Sequence, residues 1–292
     1  MFGINVKQNG PPRTDPAARL ADFGRIPMGR GPDYGLDALP SAFDKAQSSR
    51  IAPEHRLQMS FKRLPSRILD GTYDRQILGY LNSVPAGRLV AVTCWHEPND
   101  ELASGTFSAA DYKAAWYRIG RLITMSTSAA QLVAMPTYTE PTNARYEDAW
   151  VVKRSSMPAN SILTWDKYGN PPPPINAPER QSLPYRGLYH RPADVFAQTI
   201  KATKRLGWGD NWGLSELNAP RRGADAMEID RRQWFVDAIR YLTSRPTQVS
   251  VPKHILVWEG NGARFDQNFY TKPMRDTVRA YFASSLGRER HE

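Results

Sequence analysis

Cysteine is almost absent from this chain: one residue, Cys94, among 292. That excludes an internal disulfide and any cysteine-rich zinc site, and Cys94 itself reads as a small core residue on a strand. No run of about 18 apolar residues occurs, so neither a membrane-spanning helix nor a membrane partner is expected. The first ten residues, MFGINVKQNG, lack a basic stretch followed by an apolar segment and a small-residue cleavage site. A Sec signal peptide is therefore not expected, and the sequence reads as cytoplasmic or virion-associated. The turn after the first strand-like run, Lys7-Gln8-Asn9-Gly10-Pro11-Pro12, has no glycine-rich phosphate pattern, which argues against a doubly wound dinucleotide-binding sheet. The first run carries no His-x-His. His96-Glu97 does not continue to H-E-x-x-H, because position 100 is Asp, and Ser215 stands outside any G-x-S-x-G turn. No metal, no cofactor and no serine nucleophile are expected.

Charge of both signs is present, with 39 Lys and Arg against 29 Asp and Glu for a net charge of +10. A basic balance attracts anionic polymers. Here the cations are scattered and form no block, so the surplus reads as a solvated surface, and nucleic acid is not an expected partner. Internal repeats are also missing. Hydrophobic residues make up 40% of the chain, enough for a globular protein with a sizeable core.

What recurs is strand followed by helix. Short apolar runs stand at Phe2–Val6, Arg25–Met28, Leu57–Phe61, Leu89–Trp95, Gln131–Met135, Ser161–Trp165, Trp212–Ser215 and His254–Trp258. Runs such as LVAVTCW and HILVW are nearly continuous in apolar character, as expected for parallel strands covered on both faces. Between them lie helical patterns. Asp15-Pro16 starts one that stops at Gly24. Ser108 and Asp111 resemble a capping box ahead of a stripe formed by Tyr112, Ala115, Trp116, Ile119, Leu122 and Ile123. Further helices are expected over 192–206, 230–242 and 272–286. The stretch 169–192, with four consecutive prolines at 171–174, reads as a long loop after the sixth run. Eight alternating units predict a single (β/α)8 barrel spanning residues 1–292.

In such a barrel the working residues sit at the C-terminal ends of the strands. The fourth run ends in Trp95-His96-Glu97-Pro98-Asn99-Asp100, the sixth in Trp165-Asp166-Lys167-Tyr168, the seventh in Ser215-Glu216-Leu217-Asn218 and the eighth in Trp258-Glu259. Glu97 and Glu216 thus stand at two strand ends facing one cavity. That is what retaining glycoside hydrolysis requires: one protonated carboxyl to donate to the departing oxygen and one ionised carboxylate to attack the anomeric carbon, about 5–5.5 Å apart.

These segments, WHEPND and WGLSELN, resemble the motifs of glycoside hydrolase clan A. The His immediately before Glu97 is similar to the pattern of family 26, the β-mannanase-like group. The resemblance implies Glu97 as general acid/base, Glu216 as nucleophile and His96 near the nucleophile or the sugar. It also implies Tyr168 holding the nucleophile carboxylate and Trp258 as a sugar platform, with Asn99 as a further substrate contact. Asp166 and Glu259 read as candidate substrate hydrogen-bonders outside this set. One departure stands out: Asp100-Glu101-Leu102-Ala103 occupies the place where that family has aromatic residues. The expected activity is a retaining hydrolase of a β-linked polysaccharide or cell-surface glycan. The rival expectation is a glycan-binding or structural barrel within a larger protein assembly such as a phage tail.

Overall fold

The computed structural model describes residues 2–6, 28–34, 56–139, 144–169, 189–219, 227–244, 249–259 and 272–283. The helix expected after Asp15 and the loop segment 170–188 lie outside these. Among the described residues, nine strands form one sheet: β1 (Phe2–Val6), β2 (Met28–Tyr34), β3 (Arg56–Phe61), β4 (Val90–Cys94), β5 (Leu132–Ala134), β6 (Thr137–Thr139), β7 (Leu163–Tyr168), β8 (Trp212–Asn218) and β9 (His254–Glu259). Every pairing is parallel, and the order is β5-β4-β3-β2-β1-β9-β8-β7-β6.

The two strands that end this order are neighbours in sequence, separated only by Met135 and Pro136. Pro136 has no N–H to give, so the ladder breaks there and the fifth expected strand becomes β5 plus β6. The bonding continues through the break on both sides. The Met135 N–H donates to the Val92 carbonyl (2.9 Å), and the Thr164 N–H donates to the Pro136 carbonyl (2.9 Å). This parallel α/β arrangement fits an eight-stranded barrel whose fifth strand is interrupted.

The second strand differs from expectation. It runs Met28–Tyr34 instead of Arg25–Met28, and its register with β3 shifts between Arg30 and Asp33. Gly29, Gly31 and Pro32 read as turn residues in sequence, yet here they sit in an irregular strand, where a missing donor is tolerated.

Eight helices are described: α1 (Pro65–Leu69), α2 (Asp74–Asn82), α3 (Asn99–Ser104), α4 (Ala109–Met125), α5 (Ala144–Trp150), α6 (Pro192–Arg205), α7 (Ile229–Thr243) and α8 (Lys272–Ala283). The start of α4 is the one the sequence signals: the Asp111 N–H donates to Ser108 Oγ at 3.0 Å. All six residues of its apolar stripe are buried, each such large side chain contributing about 1.5–3 kcal/mol of transfer free energy.

The strands bury two kinds of face. Leu57, Met59, Phe61, Val90, Val92, Leu163, Trp165 and Leu214 belong to the apolar core with α4, α6 and α7. Trp165 Nε1 donates to Thr203 Oγ1 of α6 at 2.9 Å, fixing that face toward the helices. The alternate positions Gln58, Ser60, Thr93, Thr164, Asp166 and Ser215 are equally buried but polar. The functional cluster grows from this second face.

Candidate active site

Alternation along a strand brings every second residue to the polar face, but the cluster needs more than that, and two local distortions supply it. Where the chain leaves β4, Trp95 and Glu97 both adopt positive φ, 52° and 53°. Neither is Gly or Asn, so each conformation costs about 1–2 kcal/mol and is held from outside. The Trp95 N–H donates to the Phe61 carbonyl (2.8 Å), and the Glu97 N–H donates to the Thr137 carbonyl (3.3 Å). The Trp95 ring packs edge-on against Phe107, with centroids 4.8 Å apart.

The second distortion is a bulge in β8. Against β7, Trp165 pairs with Leu214 but Asp166 pairs with Glu216; against β9, Leu214 pairs with Ile255 and Leu217 with Val257. One extra residue therefore lies in β8 relative to both neighbours. Consecutive side chains, Ser215 and Glu216, both reach the cluster in consequence.

The geometry that results is tight. His96 Nε2 lies 2.7 Å from Asp166 Oδ2 and 3.3 Å from Glu216 Oε1. The Tyr168 hydroxyl donates to Glu216 Oε2, and Ser215 Oγ donates to Asp166 Oδ1. One polar atom each from His96, Glu97, Asp166 and Glu216 falls within 4.8 Å of all the others. Asp166 is 2% exposed, and His96 and Glu216 are 6% exposed.

Three carboxyls this close and this dry cannot all ionise. Burial, then the negative charges of Asp166 and Glu216, push Glu97 up to about 8, with His96 pulling the other way. Burial also raises Asp166, as does Glu216, while His96 and Ser215 oppose the rise. Tyr168 is raised by burial and by Glu216 and Asp166, so it stays a phenol able to donate. Burial alone brings Lys167 down to about 8. Below about pH 8 the site thus offers a protonated Glu97 beside a Glu216 whose Oε2 accepts the phenolic hydrogen of Tyr168.

No protein-family model matches the sequence, and no curated protein does so. Solved structures do match. In fold, the chain is similar to glycoside hydrolases. A glucosidase from Croceicoccus marinus is 13% identical with a TM-score of 0.61, over 97% of this chain and 67% of that one. A β-1,3-glucanase and allergen of Cryptomeria japonica pollen is 12% identical with a TM-score of 0.59, over 92% and 94%. The catalytic domain of a GH26 endo-β-1,4-mannanase from Bacillus sp. JAMB-750 is 10% identical with a TM-score of 0.54, over 97% and 85%. The likeness drawn from the WHEPND and WGLSELN segments is thus met in fold by a protein of the same family 26.

Of the residues expected from sequence, Glu97, Glu216, His96 and Tyr168 come together. Tyr168 is the last residue of β7 and not part of a following loop. Asn99 opens α3, and its Oδ1 accepts the Thr139 N–H at 3.0 Å, tying that helix to the end of β6; it is not one of the four clustered residues. Trp258 belongs to β9, but its side chain lies outside the described residues. Asp166, a candidate substrate hydrogen-bonder outside the expected set, is the most buried carboxylate of the cluster. The signal that could have found it is the Asp166-x-Tyr168 spacing, which puts both on one face of a strand. His96, Glu97, Asp166 and Glu216 offer a donor set a divalent ion could use. In the present arrangement His96 meets Asp166 and Glu216, Tyr168 donates to Glu216 and Ser215 donates to Asp166.

Proposed function

We propose that the chain is a single-domain (β/α)8 glycoside hydrolase that cleaves a β-linked polysaccharide or cell-surface glycan with retention of configuration. The observation that carries this reading is the pairing of Glu97, raised to about 8, with Glu216, their nearest carboxyl oxygens within 4.8 Å. That spacing suits direct attack by a carboxylate and leaves no room for a water between the two groups, as inversion would need.

In the first step Glu216 attacks the anomeric carbon while Glu97 gives its proton to the departing glycosidic oxygen, leaving a covalent glycosyl-enzyme. In the second, the now ionised Glu97 takes a proton from water. The resulting hydroxide equivalent displaces Glu216 at the same carbon, and both carboxyls return to their starting states. Tyr168 holds Glu216 through Oε2 and His96 approaches Oε1, so the two together orient the carboxylate for attack. His96, between Asp166 and Glu216, spaces two carboxylates that would otherwise repel.

The rival reading, a glycan-binding barrel of a larger assembly without catalysis, draws support from residues 100–103. There α3 carries no aromatic side chain, and Leu102 is buried. A panel of β-linked glycans and aryl β-glycosides separates the two. Hydrolysis by the native chain and its loss, by a thousandfold or more, in Glu216→Ala is expected. Undiminished turnover in that variant removes the assignment, and binding without turnover by the native chain favours the rival.

A further inference from the structure

Beyond Glu216, β8 stays paired with β7 through Leu217, opposite Lys167, and Asn218, opposite Tyr168. The Gly169 N–H, directly after Tyr168, donates to the Asn218 carbonyl at 2.7 Å. Asn218 lies two residues past Glu216 on the bulged strand. Whatever fixes Asn218 therefore sets how the Tyr168 hydroxyl meets the Glu216 carboxylate.

What fixes it is a charged group buried in α7. Arg231 Nη2 donates to Asn218 Oδ1 at 3.0 Å, and the same oxygen accepts the Ala219 N–H at 2.7 Å. The other arm of the guanidinium, Nη1, meets Glu228 Oε1 at 2.6 Å. Arg231 and Asn218 are fully buried and Glu228 is 1% exposed. Glu228, just before α7, holds φ at 54°, a strained conformation for Glu. One turn further along, Trp234 lies so close to Gly169 that a side chain there would meet its ring at 2.5 Å. Helix α7 thus grips the ends of β7 and β8 together, by shape at Gly169 and by charge at Asn218.

We propose that Arg231 is a positioning residue: through Asn218 it holds the β8 bulge in the register that presents Glu216 to Tyr168 and His96. A surface-type ion pair with Glu228 needs no second arm and no burial. The planar fork that spans Glu228 and Asn218 at once is something a lysine ammonium cannot reproduce. This inference rests on the hydrolase reading for its kinetic consequence but not for its geometric one.

The test is Arg231→Lys, which keeps the charge opposite Glu228, alongside Asn218→Ala, which leaves that ion pair intact, and Glu216→Ala as control. Hydrolysis of 4-nitrophenyl β-glycosides, thermal unfolding and a crystal structure of Arg231→Lys are the measurements. Expected are a kcat lowered tenfold or more in both positioning variants with a KM within twofold, beside a lower unfolding midpoint in Arg231→Lys that leaves the protein fully folded at the assay temperature. The acid limb of the kcat profile should move to higher pH, because the ionised form of Glu216 loses part of its hydrogen bond. Lower stability with unaltered kcat and an unmoved acid limb means a merely structural role and overturns the proposal. So does a crystal structure of Arg231→Lys in which Glu216 keeps both its Tyr168 and His96 contacts. If instead Glu216→Ala hydrolyses as well as the native chain, the hydrolase reading falls, and the crystal structure alone decides the role of Arg231.

Discussion

Glu97→Gln should make this protein more stable, and increasingly so as the pH rises. Glu97 titrates at about 8 in the fold against 4.5 for the free side chain. The folded state therefore holds a proton on it that the unfolded chain has released across that window. Stability is full below about 4.5 and declines toward 8 as the unfolded state gains by ionising. At about 1.4 kcal/mol per pH unit, the gap corresponds to at most about 5 kcal/mol. Glutamine has the shape and hydrogen-bonding capacity of the protonated acid but cannot ionise. At pH 4 the two proteins should unfold together; by pH 9 the variant should lead by as much as about 10 °C, taking about 2 °C per kcal/mol for a chain of this size. Thermal unfolding of both proteins from pH 4 to 9 is the assay. Midpoints that stay parallel throughout, or a variant less stable at pH 9, would refute the idea that burial beside Asp166 and Glu216 keeps this carboxyl protonated. The same variant should be nearly inactive on glycans with poor leaving groups, because its amide cannot supply the proton. The stability gained and the activity lost then trace to one group.

Two other expectations follow from single contacts. Tyr168→Phe removes the hydroxyl that donates to Glu216; a hydrogen bond to a charged group is worth about 1.5–3 kcal/mol, so kcat should fall between about tenfold and a hundredfold, and an unchanged kcat would show that the contact does not matter in turnover. Gly213→Ala would place a methyl 2.4 Å from the His254 carbonyl oxygen, between β8 and β9; overpacking of this kind costs about 1–3 kcal/mol, and a denaturant midpoint equal to that of the native chain would show that the strands yield freely.

Much of the architecture was legible because parallel strands buried on both faces leave long apolar runs, and residues 89–95 and 254–258 are such runs. The cap at Ser108 and the stripe from Tyr112 to Ile123 were equally plain, since both depend on neighbours within two helical turns. The misreadings have a common cause. At β2, Gly29, Gly31 and Pro32 have local preferences for turns that the flanking strands override. At Pro136 the chain keeps its direction while one donor is missing, which composition alone does not reveal. In the site, Glu97 and Glu216 could be picked out because each stands at a strand end, while His96 and Tyr168 came from the resemblance that the surrounding segments carry. Asp166 could not be ranked above Glu259, because its importance comes from His96 and Ser215, 70 and 49 positions away in sequence. The Arg231 fork was invisible for the same reason: nothing near it in sequence distinguishes a buried arginine from the many at the surface.

The surplus residue in β8 also governs parity. In a regular strand, even and odd positions belong to opposite sides, so Ser215 and Glu216 could never share one. Excising Ser215 would restore the even-odd rule with Glu216 still opposite Asp166, so the carboxylate would keep its side of the sheet and the cluster would lose the hydroxyl that donates to Asp166. The surplus residue thus adds a second polar side chain to that wall without displacing the acid beside it.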